Sequence, residues 1–121
     1  MTKQAQFNKV YSHFILKDKP FSMNKGGSCV YRGPQGQRCA AGLFITRKEY
    51  SPYFEGSVCD VNFGNEMTPV GKLLTSKGID ITFARSLQKA HDNAAGRNDK
   101  ISFQTVLKDI AQINRLTVPT K

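Results

Sequence analysis

The segment from Cys29 to Gly56, CVYRGPQGQRCAAGLFITRKEYSPYFEG, constrains the fold of this chain more than any other stretch. It holds two of the three cysteines and three of the four tyrosines. Residues 29–32 have the β-branched and aromatic character of a short strand. Residues 33–36, Gly-Pro-Gln-Gly, have the composition of a tight turn. The chain is therefore predicted to reverse direction at residues 33–36.

Residues 38–46, RCAAGLFIT, fit two structures. They can return as the second strand of a hairpin, which would bring Cys39 opposite Cys29, or they can form a short buried helix of small residues. The helix is the slightly favoured alternative. In that case Cys39 lies near a helix N-terminus, where the helix dipole lowers the pKa of a thiol.

Helical periodicity dominates the rest of the chain. A helix over residues 3–17 is predicted from five apolar residues at helical spacing, Phe7, Val10, Tyr11, Phe14 and Ile15. Thr2, Thr68, Asp80 and Ser102 are predicted to cap four helices, and a short strand is predicted over residues 58–63. The chain is accordingly predicted to be one small α+β domain spanning residues 1–121. It would have about four helices with one short hairpin or small antiparallel sheet.

The positive charge is concentrated in the first two-fifths of the chain. The formal net charge is +9, and residues 1–48 contain nine Lys and Arg against a single acid, Asp18. The rest of the chain is nearly balanced, so the domain divides into a basic N-terminal half (1–48) and a near-neutral helical half (64–116). This asymmetry predicts an electropositive face that meets nucleic acid or an acidic protein. The alternative is that the charge serves only solubility.

Six aromatic and basic side chains form the predicted contact surface: Tyr31, Arg32, Arg38, Arg47, Lys48 and Tyr50. Arginine beside exposed tyrosine suits base stacking with phosphate contact, and it also suits a protein hot spot. Arg32 and Arg38 flank the turn, so they are predicted to project together from its two sides. In the alternative, Tyr31 belongs to the core and the arginines are merely solvated.

One set of residues resembles a nucleophile, a base and an orienting group, namely Cys39, His91 and Asp92. A histidine packed in the core and an inert buried cysteine are the commoner structures, so the chain is predicted not to be an enzyme. The cysteines lack CxxC spacing, and neither a metal nor a cofactor is predicted. No apolar run approaches a membrane span and no signal-peptide pattern is present, which predicts a cytoplasmic protein without membrane contact.

Two motifs resemble a group of small uncharacterised proteins encoded by tailed bacteriophages and prophages. The first is Cys29-x-Tyr31-Arg32-Gly33-Pro34-x-Gly36-x-Arg38-Cys39-Ala40-x-Gly42-x-x-Ile45, followed by Tyr50-x-Pro52-x-x-Glu55-Gly56, and the second is Leu87-Gln88-x-x-His91-Asp92. The chain departs from the group where Thr46-Arg47 replaces a Pro-Asp pair, and it lacks a tryptophan in its C-terminal part. The resemblance implies phage origin and an accessory role, without an established activity.

Together these observations predict a non-enzymatic phage protein in the cytoplasm of the host bacterial cell. It would bind and inhibit a host macromolecule with an acidic surface, such as the transcription machinery or a defence nuclease. The first alternative is direct binding of DNA or RNA through the same basic half. The second alternative is a cysteine-dependent enzyme that uses Cys39 and His91.

Overall fold

The computed structural model describes residues 1–27, 29–56 and 66–120. These residues form four α-helices: α1 (Lys3–Tyr11), α2 (Pro69–Ser76), α3 (Ile81–Ala95) and α4 (Lys100–Ile113). Helix α1 runs on without a break into a π-helical turn, Ser12–Leu16. Three short 3-10 helices follow, at Pro34–Gly36 and Ala41–Phe44 within the basic half and at Pro52–Phe54 just after it.

The predicted α+β class is wrong, because the described residues contain no β-strand. Two isolated antiparallel bridges join described residues, Met23 with Cys29 and Arg32 with Arg38. The predicted strand over residues 58–63 lies outside the described residues. The chain does reverse at residues 33–36, but the hairpin closes with one bridge and then turns into the 3-10 helix Ala41–Phe44. The helical alternative for residues 38–46 is therefore nearer to the structure.

A carboxylate takes the place that a neighbouring strand would fill. The backbone N–H groups of Tyr31 and Arg32 donate to the two oxygens of Glu55, at 2.8 and 3.2 Å. Buried backbone donors need a partner, and a strand finds it in the next strand of a sheet. Here the Glu55 side chain satisfies both donors, so this segment remains extended without joining a sheet.

The helix starts follow local capping chemistry. The hydroxyls of Thr2 and Thr68 accept the amides of Ala5 and Gly71, and Asp80 accepts the amide of Phe83. These three predicted caps are confirmed. The fourth is wrong: α4 begins at Lys100, where Asp99 accepts the amide of Ser102 at 3.0 Å.

One hydrophobic cluster joins the helices. Helix α3 contacts α1, α2, α4 and the 3-10 helix Ala41–Phe44. The predicted stripe of α1 is confirmed, since Phe7, Val10, Tyr11 and Phe14 are buried and Ile15 is partly buried. The π-helical turn carries Phe14 into an aromatic group with Phe21, His91 and Phe103, whose ring centroids lie 5.2–5.9 Å from that of Phe14. This packing anchors the end of the first helix, on which the site described below is built.

Candidate functional site

The six side chains of the predicted contact surface have different environments. Tyr31 is buried, with 6% of its surface exposed, so its ring belongs to the core. Arg47 and Lys48 lie on an exposed turn. Arg32 and Tyr50 are half-buried and bound to neighbours, whereas Arg38 is half-buried and lines a surface groove. The structure therefore does not bring the six together into one exposed surface.

Arg32 and Tyr50 form a packed unit with Glu55. The Arg32 guanidinium donates to the carbonyl of Ile45 at 3.1 Å and lies 5.4 Å from the centre of the Tyr50 ring. The Tyr50 hydroxyl donates to Glu55 at 2.6 Å. Burial, followed by this hydrogen bond and the Glu55 charge, raises the pKa of Tyr50 to about 12. Burial, followed by the charge of Arg38, lowers the pKa of Arg32. These contacts give Arg32 and Tyr50 structural roles.

A groove of about 400 Å³ lies between the first helix and the turn at residues 33–36. Lys9, His13 and Lys17 line one side of it and follow one another at intervals of four residues. Residues four apart share a face of a helix, and the π-helical turn at Ser12–Leu16 continues that face. Arg38 lines the groove from the other element. The remaining lining residues are Ser12, Gly36 and Leu43.

The groove is positively charged and contains no acidic side chain. Within the described part of the chain, the side chains of Lys9, Lys17 and Arg38 form no ion pair and no hydrogen bond, so their charges are uncompensated. Asp18, the one acid in residues 1–48, pairs instead with the Lys100 ammonium at 3.1 Å.

The pKa of His13 is lowered by burial and by its position among these positive charges. Burial is the largest cause that lowers its pKa to about 4, and the charges of Lys19, Lys17, Arg38 and Lys100 lower it further. The imidazole is consequently neutral near pH 7, although it lies among cations. Lys9, His13 and Lys17 lie outside the apolar stripe of the first helix, and the predicted contact surface did not include them. Their four-residue spacing was the signal that could have identified the groove.

A second cluster contains Cys29, His91 and Asp92, whose ligand-type atoms all lie within 4.8 Å of one another. The sulfur beside His91 and Asp92 is therefore that of Cys29. The thiol of Cys39 is buried elsewhere in the core and accepts the amide of Gly42 at 3.3 Å. The structure thus places Cys29, and not the Cys39 of the unfavoured enzyme alternative, in one cluster with His91 and Asp92.

Hydrogen bonds fix the tautomer of His91. Its Nε2 accepts the amide of Ser22 at 3.2 Å, so the ring proton sits on Nδ1 and is donated to Asp92 at 3.0 Å. Gln88 donates to the same Asp92 oxygen at 2.6 Å and accepts the amide of Ala41 at 2.8 Å. Because both ring nitrogens are occupied, His91 can neither accept a thiol proton nor bind a metal without breaking one of these bonds.

The Cys29 thiol is held in its protonated form. Burial, followed by the charge of Asp92 and a hydrogen bond to it, raises the pKa of Cys29 to about 11. A nucleophilic cysteine or a zinc ligand must be a thiolate. The Cys29 thiol is therefore not an activated nucleophile, and the hydrogen bonds of His91 and Asp92 hold this cluster together.

No family model, curated protein or solved structure matches this chain. The resemblance to phage-encoded proteins therefore remains a prediction that rests on the two motifs. In residues 1–27, 29–56 and 66–120, no helix has the length and apolar character needed to cross a lipid bilayer.

Proposed function

We propose that this chain is a phage-encoded, non-enzymatic accessory protein that binds an acidic surface of a host protein and thereby inhibits it. The observation that carries the proposal is the groove formed by Lys9, Lys17 and Arg38, three cations without an acidic partner among the described residues. Unpaired cations in a concave surface attract an acidic partner and orient it. The phage setting and the host cytoplasm come from the two sequence motifs.

An acidic protein suits the groove better than single-stranded nucleic acid does. Recognition of single-stranded nucleic acid relies on exposed aromatic rings on which bases stack. Tyr31 is buried and Tyr50 is bound to Glu55, so neither ring is offered beside the groove. Arg47 and Lys48 are exposed and stay as predicted contact residues. Direct binding of a DNA or RNA backbone through the same cations is the second candidate function.

Affinity capture from host lysate tests the proposal. The tagged protein is compared with the double variant Lys17→Glu/Arg38→Glu, with and without nuclease. We expect the native protein to retain one stoichiometric host protein after nuclease treatment and the variant to lose it, because each substitution replaces attraction by repulsion. The matched control is Lys89→Glu/Lys108→Glu, which makes the same charge change at exposed positions of α3 and α4.

Three results would contradict the proposal. One is capture that the Lys17→Glu/Arg38→Glu variant retains while it remains folded by circular dichroism. Another is equal loss of capture in the control variant, which would mean that only the net charge matters. The third is loss of all bound protein after nuclease treatment, with binding to purified DNA or RNA that weakens steeply as salt rises. That result would establish the second candidate function.

A further inference from the structure

We propose that the groove is a site for one phosphate monoester dianion, bound by Lys9, Lys17 and Arg38 with Ser12 and His13 as neutral hydrogen-bond donors. This inference rests on the proposed function and deepens it, because it names the group of the partner that enters the groove.

The number of charges favours phosphate over a carboxylate. The three cations that line the groove have no compensating acid among the described residues. A side-chain carboxylate brings one negative charge and two oxygens, and it would leave most of that positive charge uncompensated. A phosphate monoester brings about 1.5 to 2 negative charges and three acceptor oxygens. The guanidinium of Arg38 presents paired N–H groups that match two of those oxygens.

The backbone holds the two walls of the groove in place. The residue opposite Arg38 across the turn is Arg32, and the amide of Gly33 donates to the carbonyl of Gln37 at 2.9 Å. On the other wall, the carbonyls of Ser12 and His13 accept the amides of Lys17 and Lys19. These bonds keep the π-helical turn closed and leave the side chains of Ser12 and His13 on the groove. Single-turn π-helical segments are frequent at functional sites.

His13 provides a readout inside the groove. The charged groups that act on it come from three parts of the chain: Lys17 and Lys19 after α1, Arg38 from the turn, and Lys100 from α4. Asp18 forms a salt bridge with the Lys100 ammonium. In the free protein these cations oppose protonation of the imidazole. A bound dianion reverses the local field, so the pKa of His13 must rise when phosphate enters the groove.

Nuclear magnetic resonance of the full chain tests the site with inorganic phosphate as the probe. We expect saturable shifts at residues 9–17 and 36–38 at about pH 7.5, where phosphate is mainly the dianion. We also expect a rise in the pKa of His13 from about 4, because even the monoanion that is present at acid pH opposes the local positive charge. Acetate and chloride at the same ionic strength serve as the carboxylate and salt controls. The variant Lys17→Gln/Arg38→Gln should bind phosphate at least about tenfold more weakly, whereas Lys89→Gln/Lys108→Gln should bind as the native chain does.

Several results would overturn the site. One is a response to phosphate that is linear and matches that of chloride, and another is a response spread equally over α3 and α4. Undiminished binding by the Lys17→Gln/Arg38→Gln variant would also exclude it, as would acetate binding as tightly as phosphate. Binding of O-phosphoserine is then compared with binding of a nucleoside 5′-monophosphate. The tighter of the two shows whether the phosphate group belongs to a phosphorylated protein or to a nucleotide.

The outcomes separate this inference from the proposed function. If phosphate does not bind but capture of a host protein still requires Lys17 and Arg38, the protein is an acidic-surface binder without a phosphate site. If phosphate binds in the groove but no host protein is captured, the anion site stands and the proposed function fails.

Discussion

Cys29 and His91 are residue types that can act as nucleophile and base, but their surroundings make both side chains unreactive here. Both nitrogens of His91 are engaged, one by the Ser22 amide and one by Asp92. The same Asp92 raises the pKa of the neighbouring Cys29. A negative charge next to a thiol opposes its ionisation, so the carboxylate that orients His91 also makes the sulfur unreactive.

We expect Cys29 to be alkylated slowly in the folded protein. Its pKa is raised from 9.0 to about 11, so at pH 8 the thiolate fraction falls roughly a hundredfold. Iodoacetamide labelling followed by peptide mass spectrometry gives the rate for Cys29 in the native chain. The same peptide from urea-unfolded protein is the reference. Equal rates in the two states would mean that the fold does not suppress the thiol. A faster rate in the folded protein would mean an activated thiol and would favour a cysteine-dependent enzyme.

Tyr50 gives a pH dependence with a defined sign. The pKa of its hydroxyl is about 12 in the folded chain and near 10.0 when the chain is unfolded. The hydroxyl's contribution to stability is therefore complete below pH 10 and disappears as pH rises from 10 to 12, because the unfolded chain releases this proton first. Urea unfolding at pH 9 and pH 11 should reveal a smaller loss of stability in Tyr50→Phe than in the native chain.

The matched control for Tyr50 is Tyr53→Phe, since the Tyr53 ring is 89% exposed. This variant should lose as much stability between pH 9 and pH 11 as the native chain. If Tyr50→Phe also loses that amount, the hydrogen bond to Glu55 does not hold the proton.

At the scale of elements, the 3-10 helix Ala41–Phe44 is pressed against the extended segment that contains Tyr31. A Cβ atom added to Gly42 would lie 2.3 Å from the Tyr31 carbonyl oxygen. Only glycine permits this approach, and the obstacle is a backbone atom that cannot rotate away. The contact brings the two sides of the turn together and so positions Arg38.

The substitution Gly42→Ala should lower the free energy of unfolding by about 3 kcal/mol, because the helix and the Tyr31 segment must separate. Chemical denaturation provides the measurement. Gly26→Ala is the control, since a Cβ atom there meets only the Asn24 side chain at 3.4 Å, and its effect should stay within about 0.5 kcal/mol. Similar stabilities for the two variants would refute the tight packing of Gly42.

Lys100 joins the start of α4 to the end of the first helix. Its ammonium donates to the carbonyls of Phe14 and Lys19 at 3.1 and 2.6 Å, and it lies 5.1 Å from the centre of the Phe21 ring. These bonds satisfy the carbonyl of Phe14 at the helix end and that of Lys19 in the segment after it.

The variant Lys100→Met keeps most of the stem and removes the charge. We expect a loss of about 1 to 3 kcal/mol in the free energy of unfolding, because two carbonyls lose a charged donor. Lys108→Met, at an exposed position of α4, is the matched control and should be nearly neutral. A neutral Lys100→Met would mean that water replaces the ammonium at this helix end.

Some features of the helices could be predicted from the sequence, and others could not. Caps and the α1 stripe depend on near neighbours in the chain, and three of the four caps and the stripe were predicted correctly. Helical spacing in the sequence places Phe103, Val106, Leu107, Ile110 and Ile113 on one apolar stripe of α4. Yet Val106 and Ile113 are 42% and 80% exposed. The apolar face of α4 is wider than its contact with α1 and α3, and sequence periodicity does not reveal which part of a wide face is covered.

At the scale of the whole molecule, the basic half concentrates like charges that repel one another. At His13 this repulsion adds to burial, which is the larger cause, in lowering the pKa of the imidazole. Repulsion among these cations destabilises the folded chain. Negatively charged groups compensate the cations only when a partner is bound.

Neutralising the groove should therefore stabilise the free protein. We expect Lys17→Gln/Arg38→Gln to raise the free energy of unfolding by a few tenths to about 1 kcal/mol at low salt, with the gain disappearing as salt is added. Urea denaturation at two ionic strengths measures it. The control Lys89→Gln/Lys108→Gln should change stability less. A destabilised groove variant would mean that these cations hold the fold together instead.

Much about this protein was determined by its sequence alone: three of the four helix caps, the α1 stripe, the reversal at residues 33–36 and the concentration of charge in residues 1–48. Each of these is a property of near neighbours or of composition, so it can be predicted without knowing the fold.

The tertiary structure decided the rest. It replaced a sheet by the carboxylate of Glu55, placed Cys29 instead of Cys39 beside His91, and brought Arg38 to the groove of Lys9 and Lys17. These outcomes depend on contacts between residues far apart in the chain. Such contacts depend on which faces of the helices are buried against one another, and local sequence patterns do not specify this.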